Sequence, residues 1–292
     1  MTDLGLVESP RWHQGRLWFA DWIAGRVIAV DTDGRHEAMV EHTSLPLCFD
    51  FKPDGTPVIV SIPQRALLQL QADGSLATYA DLSALSAFGF NDIVIDGRGH
   101  AYVNSPNYDA MGGPPPVGDM APGFVALVTP DGRSRQVADD LAFPNGMAVT
   151  PDNATLVVAE SHRNRLTAFD IGADGALSGR RVWADVGSGA PDGICIDTEG
   201  AVWYADVPNQ RCVRVREGGE VAETVELDRG AFACMLGGDD GRTLFIVAAE
   251  WPGMEGMAAG KPWHGQVLST PVSTPGAGWP ARTGPMTPGG LA

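Results

Sequence analysis

Residues 191–205 read PDGICIDTEGAVWYA, in which Asp192-Gly193 opens one short apolar segment and Gly200 separates it from a second, Val202–Ala205. An apolar segment of this kind, after a Gly or Asn turn, recurs along the whole chain. Its six copies are Leu17–Ala20, Val58–Val60, Ala101–Val103, Leu156–Ala159, Val202–Ala205 and Leu244–Val247. Their starts are 41, 43, 55, 46 and 42 residues apart, which indicates an internal repeat.

Each apolar segment is followed by a second short strand. These second strands are Val27–Val30, Leu67–Leu70, Val125–Val128, Leu166–Phe169, Val213–Val215 and Val267–Ser269. In most repeats a glycine turn and a more polar outer strand, such as Leu76–Ala80, come next. A period of about 40 to 45 residues with four short strands is typical of a propeller blade. The sequence therefore predicts an all-β fold, a six-bladed β-propeller with four antiparallel strands per blade around a central channel.

The two ends of the chain are expected to differ in role. The sixth repeat lacks a clear fourth strand, so Thr2–Val7 is expected to supply it and close the ring. Residues 1–282 are predicted to form a single propeller domain, and residues 283–292 a flexible C-terminal tail.

Composition and charge narrow the possible partners. The 292 residues include 37 Gly and 22 Pro, yet 44% are hydrophobic and 19% charged, which argues against coiled coil, collagen and disorder. A net charge of −16 argues against nucleic acid and anionic membranes as partners. The expected partner is a small-molecule substrate. We expect a cytoplasmic protein, since no signal peptide or membrane span is evident. We expect a monomer or weak homo-oligomer, since single propellers of this size can be monomers. Four separated cysteines predict reduced, buried thiols: Cys48, Cys195, Cys212 and Cys234.

One position per repeat could carry chemistry. It lies eight residues before the turn Gly or Asn, or seven in the first repeat, and begins the strand nearest the axis. Its occupants are Glu8, Leu47, Asn91, Asn145, Asp192 and Ala233. Four of these side chains contain oxygen and none is basic, so their convergence would favour a bound divalent cation such as Ca²⁺, Mg²⁺, Mn²⁺ or Fe²⁺. Alternatively, Asn145-Gly146 and Asp192-Gly193 are simple strand-entry turns.

Several motifs occur in a fixed order along the chain. They are Glu8–Trp12 (ESPRW), Phe90–Asp96 (FNDIVID), Phe143–Ala148 (FPNGMA), Val158–Ser161 (VAES) and Pro191–Asp197 (PDGICID). Together they resemble the senescence marker protein/gluconolactonase/regucalcin family over roughly residues 5–280. The resemblance implies a six-bladed propeller with one divalent metal ion, Ca²⁺, Zn²⁺, Mn²⁺, Mg²⁺ or Fe²⁺. It implies Glu8, Asn145 and Asp192 as metal ligands, and Asn91 as the residue that binds substrate or a metal-bound water.

The best-known members of that family hydrolyse sugar lactones, so we predict a metal-dependent lactonase, a carboxylic ester hydrolase. Asp192 and Asn91 are the predicted catalytic residues: Asp192 accepts the proton of the attacking water, and Asn91 holds the ester or the water. Phosphotriester hydrolysis, isomerisation through an enolate and non-catalytic cation binding are the alternatives. No GxSxG, P-loop or HExxH motif occurs in the sequence.

The substrate is expected to be less sugar-like than gluconolactone. Gly89 stands where the family's sugar lactonases carry an arginine, directly before the Phe-Asn-Asp motif. Two long loops are predicted: residues 104–123, between the first two strands of the third blade, and residues 251–264 in the sixth.

If these loops reach the channel mouth, they form an apolar substrate-binding wall; otherwise their apolar residues pack the loops onto the barrel. The wall would contain Tyr108, Met111 and Trp251, with Met254 and Trp263. His162 and His264 are candidate acids or bases, or solvated loop residues.

Overall fold

The computed structural model describes residues 1–108, 122–253, 256 and 260–278. These residues form 23 strands in six antiparallel sheets, and each sheet takes its strands in sequence order. Blade 1 contains β1 (Val7–His13), β2 (Arg16–Asp21), β3 (Arg26–Val30) and β4 (His36–Glu41). Blade 2 contains β5 (Phe49–Phe51), β6 (Pro57–Ser61), β7 (Ala66–Leu70) and β8 (Leu76–Asp81). Blade 3 contains β9 (Ile93–Ile95), β10 (Ala101–Ser105), β11 (Gly123–Val128) and β12 (Ser134–Leu141).

The second half of the chain repeats this arrangement. Blade 4 contains β13 (Pro144–Val149), β14 (Thr155–Glu160), β15 (Arg165–Ile171) and β16 (Leu177–Asp185). Blade 5 contains β17 (Pro191–Ile196), β18 (Val202–Asp206), β19 (Arg211–Val215) and β20 (Val221–Glu226). Blade 6 contains β21 (Gly230–Gly237), β22 (Thr243–Ala249) and β23 (Gly265–Pro271). A 3₁₀ turn, Ser161–Arg163, joins β14 to β15.

The first strands of the six blades form a ring around the channel. β1, β5, β9, β13, β17 and β21 contact one another in that order, and β21 contacts β1. The predicted apolar repeats are the second strands. They lie between neighbouring blades, so every residue of β6 and β18 is buried, which explains their continuous apolar sequence. The outer strand β20 instead alternates between exposed and half-buried residues. The predicted six-bladed propeller is confirmed.

The N-terminal segment lies on the free edge of blade 6. Leu4 pairs with Gly265 through two backbone hydrogen bonds of 3.3 and 2.7 Å, and Met1 pairs with Val267 through two of 2.9 Å. The segment therefore takes the place expected for Thr2–Val7, but as a short pairing and not as a regular fourth strand, because β1 already begins at Val7.

The loop over residues 104–123 was wrongly assigned to the first two strands of blade 3. It joins β10 to β11, the second and third strands, because a first strand of only three residues, β9, precedes the apolar repeat. The four cysteines are free and buried, as predicted. Among the residues that the structure describes, no helix is long and apolar enough to cross a bilayer.

Candidate metal and substrate site

The three predicted metal ligands all lie on first strands, where pairing with the second strand is irregular. Glu8 is in β1, Asn145 in β13 and Asp192 in β17. The pairing register shifts between Glu8 and Arg11, between Pro144 and Met147, and between Pro191 and Ile194. Such a bulge bends the strand and redirects its side chains. It lets each of these residues face the channel mouth while the rest of its strand packs regularly.

A cavity of about 500 Å³ opens at this mouth of the channel. The oxygen-bearing residues of the predicted register all line it: Glu8, Asn91, Asn145 and Asp192. Of the two apolar residues of the register, Leu47 is fully buried and Ala233 lines a small void beneath the cavity. The repeat register thus brings the four candidate residues together, whereas their chemical roles stay predictions.

Hydrogen bonds connect the candidate residues across blades 3, 4 and 5. Asn91 Nδ2 donates to Asn145 Oδ1 at 3.1 Å, and Asn145 Nδ2 donates to Ser161 Oγ at 3.3 Å. Ser161 Oγ in turn donates to the carbonyl oxygen of Pro191 at 2.7 Å, next to Asp192. Asn104 Nδ2 donates to the Asn145 carbonyl at 2.6 Å, which fixes the backbone there.

The floor of the cavity is acidic. Burial, opposed by the Ser9 N–H hydrogen bond and by Arg11 and assisted by repulsion from Asp92, raises the pKa of Glu8 to about 8. Burial, followed by repulsion from Glu8 and Asp92, raises the pKa of Asp192 well above its usual range. Arg11 lies beneath, with Nε 3.1 Å from Asp50 Oδ1 and Nη2 3.8 Å from Asp92 Oδ1. Arg11 is thus shared among Asp50, Asp92 and Glu8, so a further cation beside Asp192 would be stabilised here.

The available donors suit a hard divalent ion. Within the described ranges, no three His, Cys, Asp or Glu side chains form a metal cluster. Glu8 and Asp192 would therefore need an amide oxygen beside them, and Asn145 Oδ1 is present at the same floor. Carboxylate and amide oxygens are common ligands of hard cations, so the residues fit the predicted ion.

Aromatic side chains form two walls of the cavity. On one side, the ring centroids of Phe232, Trp251 and Trp263 lie 5.9 to 6.1 Å apart. On the other, Phe143 lies 5.9 Å from Tyr108 and stacks on His162 at 4.7 Å. The parts of both loops that can be described therefore do reach the mouth.

Of the remaining candidate residues, only one lines the cavity among those that the structure describes. Met111 and Met254 lie outside the described residues. His264 is exposed and is not among the described residues that line the cavity. His162 does line the cavity. Burial lowers the pKa of His162, which favours its neutral form.

Gly89 lines the cavity next to Ile62, and the backbone there does not favour a side chain. Its φ is +88°, and a Cβ atom would lie 2.6 Å from Ile62 Cδ1. Ile62 therefore occupies the space into which a longer residue 89 would project. Among the described lining residues no Lys or Arg is present.

Sequence reasoning missed several residues of the cavity, among them Ser161, Phe143, Phe232 and Trp22. Phe232 directly precedes Ala233 of the register, so a search of the positions flanking the register could have found it. Phe143 has a φ of +55°, a strained conformation for an aromatic residue, which nothing in the sequence indicates.

The fold and the site define a class: a six-bladed propeller with acidic and amide side chains at one channel mouth, beneath an apolar cavity. The chain belongs to the SMP-30/gluconolactonase/LRE-like family, whose sequence profile matches residues 6–250.

Among its relatives is a 6-deoxy-6-sulfogluconolactonase of Pseudomonas putida, 27% identical over 96% of this chain and 95% of the relative. Another is the pentonolactonase XacC of Haloferax volcanii, 26% identical over 70% of this chain and 67% of the relative. A solved luciferin-regenerating enzyme superposes with a TM-score of 0.78 at 19% identity, covering 97% of each chain, and supports the fold alone. Both named lactonases are hydrolases.

Proposed function

We propose that this protein is a divalent-metal-dependent hydrolase that opens a lactone, a cyclic ester. The observation that carries the proposal is the pair of carboxyl groups of Glu8 and Asp192 at the cavity floor, each with a raised pKa, beside the amide of Asn145. Such a set is poorly balanced without a cation. The two lactonase relatives support the reaction class.

When bound at Glu8, Asn145 and Asp192, the ion would polarise the ester carbonyl and make a water more acidic. The chain's own residues have separate tasks. Asn91 Nδ2 already donates to Asn145, so its amide oxygen is the group that can hold the attacking water or a substrate hydroxyl. Asp192 would accept a proton from that water as the water oxygen bonds to the carbonyl carbon, and would return it to the ring oxygen as the acyl C–O bond breaks. The product is a single ring-opened hydroxy acid.

The substrate proposed for this site carries an apolar or aromatic substituent. Two aromatic walls face the cavity, and Ile62 with Phe88 adds aliphatic and aromatic surface. A sulfonate or sugar-acid group would meet no Lys or Arg among the described lining residues. Burial raises the pKa of Tyr108 to about 12, so its hydroxyl stays neutral and adds no charge. An uncharged lactone with a planar ring is therefore the best fit.

The test is acid release from a panel of lactones, including dihydrocoumarin and glucono-δ-lactone, by protein stripped with a chelator and reloaded with single ions. We expect release only with an added ion, and higher kcat/KM for dihydrocoumarin. Asp192→Ala and Asn145→Ala should abolish turnover and keep the fold, whereas the exposed control Asp139→Ala should retain activity. Ion-independent release, or an active Asp192→Ala variant, would contradict the proposal. Product analysis distinguishes hydrolysis, which adds water, from isomerisation.

A further inference from the structure

We propose that Ser161 is a positioning residue that holds the amide of Asn145 with its oxygen toward the cavity, and ties the strand of Asn145 to that of Asp192. The inference rests on the proposed metal site, and it assigns a task to a residue that is not itself a ligand. Its basis is the hydrogen-bond chain from Asn91 through Asn145 and Ser161 to Pro191.

The donor and acceptor in each of these hydrogen bonds follow from one group that can only accept a hydrogen bond. The carbonyl oxygen of Pro191 has no hydrogen, so the Ser161 hydroxyl must donate to it at 2.7 Å. The oxygen of Ser161 is then free to accept, and the neighbour within reach is the amide of Asn145 at 3.3 Å. That contact requires the NH₂ end of Asn145. Its Oδ1 therefore points the other way, toward Asn91 and the cavity.

The position of Ser161 is itself fixed by the backbone. Its N–H donates to the carbonyl of Phe143 at 3.1 Å, and the N–H of His162 donates to that of Ala142 at 3.2 Å. The turn containing Ser161 is thus held against the residues that lead into β13.

The preceding residue, Glu160, anchors the same turn. It is fully buried, and accepts hydrogen bonds from the Ala142 N–H at 2.8 Å and the Thr167 hydroxyl at 2.5 Å. Arg165 Nη2 lies 2.8 Å from its carboxylate. The Ser161 hydroxyl is therefore presented by a rigid base, as an orienting group behind a metal ligand should be.

Loss of this hydroxyl has a specific consequence. Without it, the Asn145 amide can rotate and turn its NH₂ group toward a cation, where the partial positive charge repels the ion. Residues that orient metal ligands typically change metal affinity by about 10- to 100-fold when removed. Stability should change much less, because Ser161 is only half-buried and no bulk is lost from the core.

The experiment measures the dissociation constants of Mn²⁺ and Ca²⁺ by calorimetry for the full-length wild type, Ser161→Ala, Ser161→Thr and Ser188→Ala. Ser161→Ala should bind about 10- to 100-fold more weakly. Ser161→Thr keeps a hydroxyl and should restore most of the affinity. Ser188→Ala is the matched control, because Ser188 is an exposed serine shortly before β17. Equal affinity of wild type and Ser161→Ala would overturn the inference and leave the proposed function intact.

A second measurement separates the two proposals. The side-chain amide signals of Asn145 are assigned in ¹⁵N-labelled, metal-free protein by their disappearance in Asn145→Asp. We expect Ser161→Ala to shift them and to speed their hydrogen exchange, and Ser161→Thr to leave them near their wild-type positions. If the wild type binds neither ion, the metal-dependent function fails, and unchanged amide signals in Ser161→Ala would then also overturn the positioning of Asn145.

Discussion

Glu8 and Asp192 carry opposite consequences for stability and for function. A carboxyl group whose pKa is raised on folding keeps its proton in the native state after the unfolded chain has released it. The native state then binds more protons, so the free energy of unfolding falls as the pH rises through that interval. The same two groups, once ionised, are the ligands that a divalent cation needs. The free energy of unfolding of the metal-free protein should therefore be lower at neutral pH, and a bound ion should raise it.

The first prediction is the pH dependence of the metal-free protein. The pKa of Glu8 is 4.5 in the unfolded chain and about 8 in the folded protein, so the contribution of Glu8 to stability is fully present below about pH 4.5 and declines toward pH 8. In the presence of a chelator, the Tm of the metal-free protein should fall by several degrees between pH 5 and pH 8. Glu8→Gln cannot ionise and should flatten this slope, whereas Glu217→Gln, at an exposed position, should not. A wild-type Tm that rises over this range contradicts the prediction.

Gly89 gives the second prediction at this scale. Gly89→Arg must place a side chain at a φ of +88° and against Ile62, so it should destabilise the protein by roughly 1–3 kcal/mol. It should also give no gain in kcat/KM for dihydrocoumarin. Gly74→Arg is the control, because Gly74 has a similar φ of +82° and open space around it. Improved turnover of dihydrocoumarin by Gly89→Arg would contradict this prediction.

At the scale of the strands, glycines set the spacing of the candidate ligands. A Cβ atom on Gly146 would collide with the carbonyl oxygen of Asp192 and lie 2.7 Å from the Cα of Gly193. One on Gly193 would collide with Ala233 of the next blade. The first strands β13, β17 and β21 can therefore approach closely only because these positions lack side chains. In each Asn-Gly or Asp-Gly pair, the first residue is thus the candidate ligand, and the glycine allows the neighbouring strand to approach.

The third prediction follows for Gly146→Ala. The added methyl group should force β13 away from β17, lower stability by roughly 1–3 kcal/mol and weaken Mn²⁺ binding, since Asn145 and Asp192 move apart. Gly34→Ala is the comparison, because Gly34 has a φ of +85° and no neighbour within 4 Å, so only its backbone is strained. Thermal unfolding and calorimetry are the measurements. A Gly146→Ala variant with wild-type Mn²⁺ affinity would show that this spacing does not control the site.

At the scale of the whole molecule, the sequence predicts the six-bladed ring better than it predicts the loops and cavity walls at the channel mouth. The repeat spacing alone predicts six blades. The register position identifies Glu8 and Asp192 because the first strand of every blade lies next to the same central axis. The connection of residues 104–123 was misplaced, since β9 is too short to leave its own periodic signal. The cavity walls were only partly foreseen. Phe232 and Trp263 meet there from strand and loop, and such contacts depend on how blade 6 closes, which local patterns do not encode.

Closure of the ring is the basis of the last prediction. Gly265→Val would drive a side chain into the backbone of Gly5, separate Leu4 from β23 and remove the pairing of Met1 with Val267. We expect a Tm lower by several degrees and faster hydrogen exchange at the Val267 amide. Gln266→Val is the matched control, since the adjacent side chain on a strand points to the opposite face.

The same variant tests whether closure and the site are coupled. Glu8 follows the closing segment directly on β1, and β1 contacts β21 of blade 6. Loosening that segment should therefore let Glu8 move relative to Asp192, so Gly265→Val should bind Mn²⁺ more weakly at temperatures well below its Tm. If Mn²⁺ affinity were unchanged while exchange at Val267 increased, closure would stabilise the ring without holding the ligands in place.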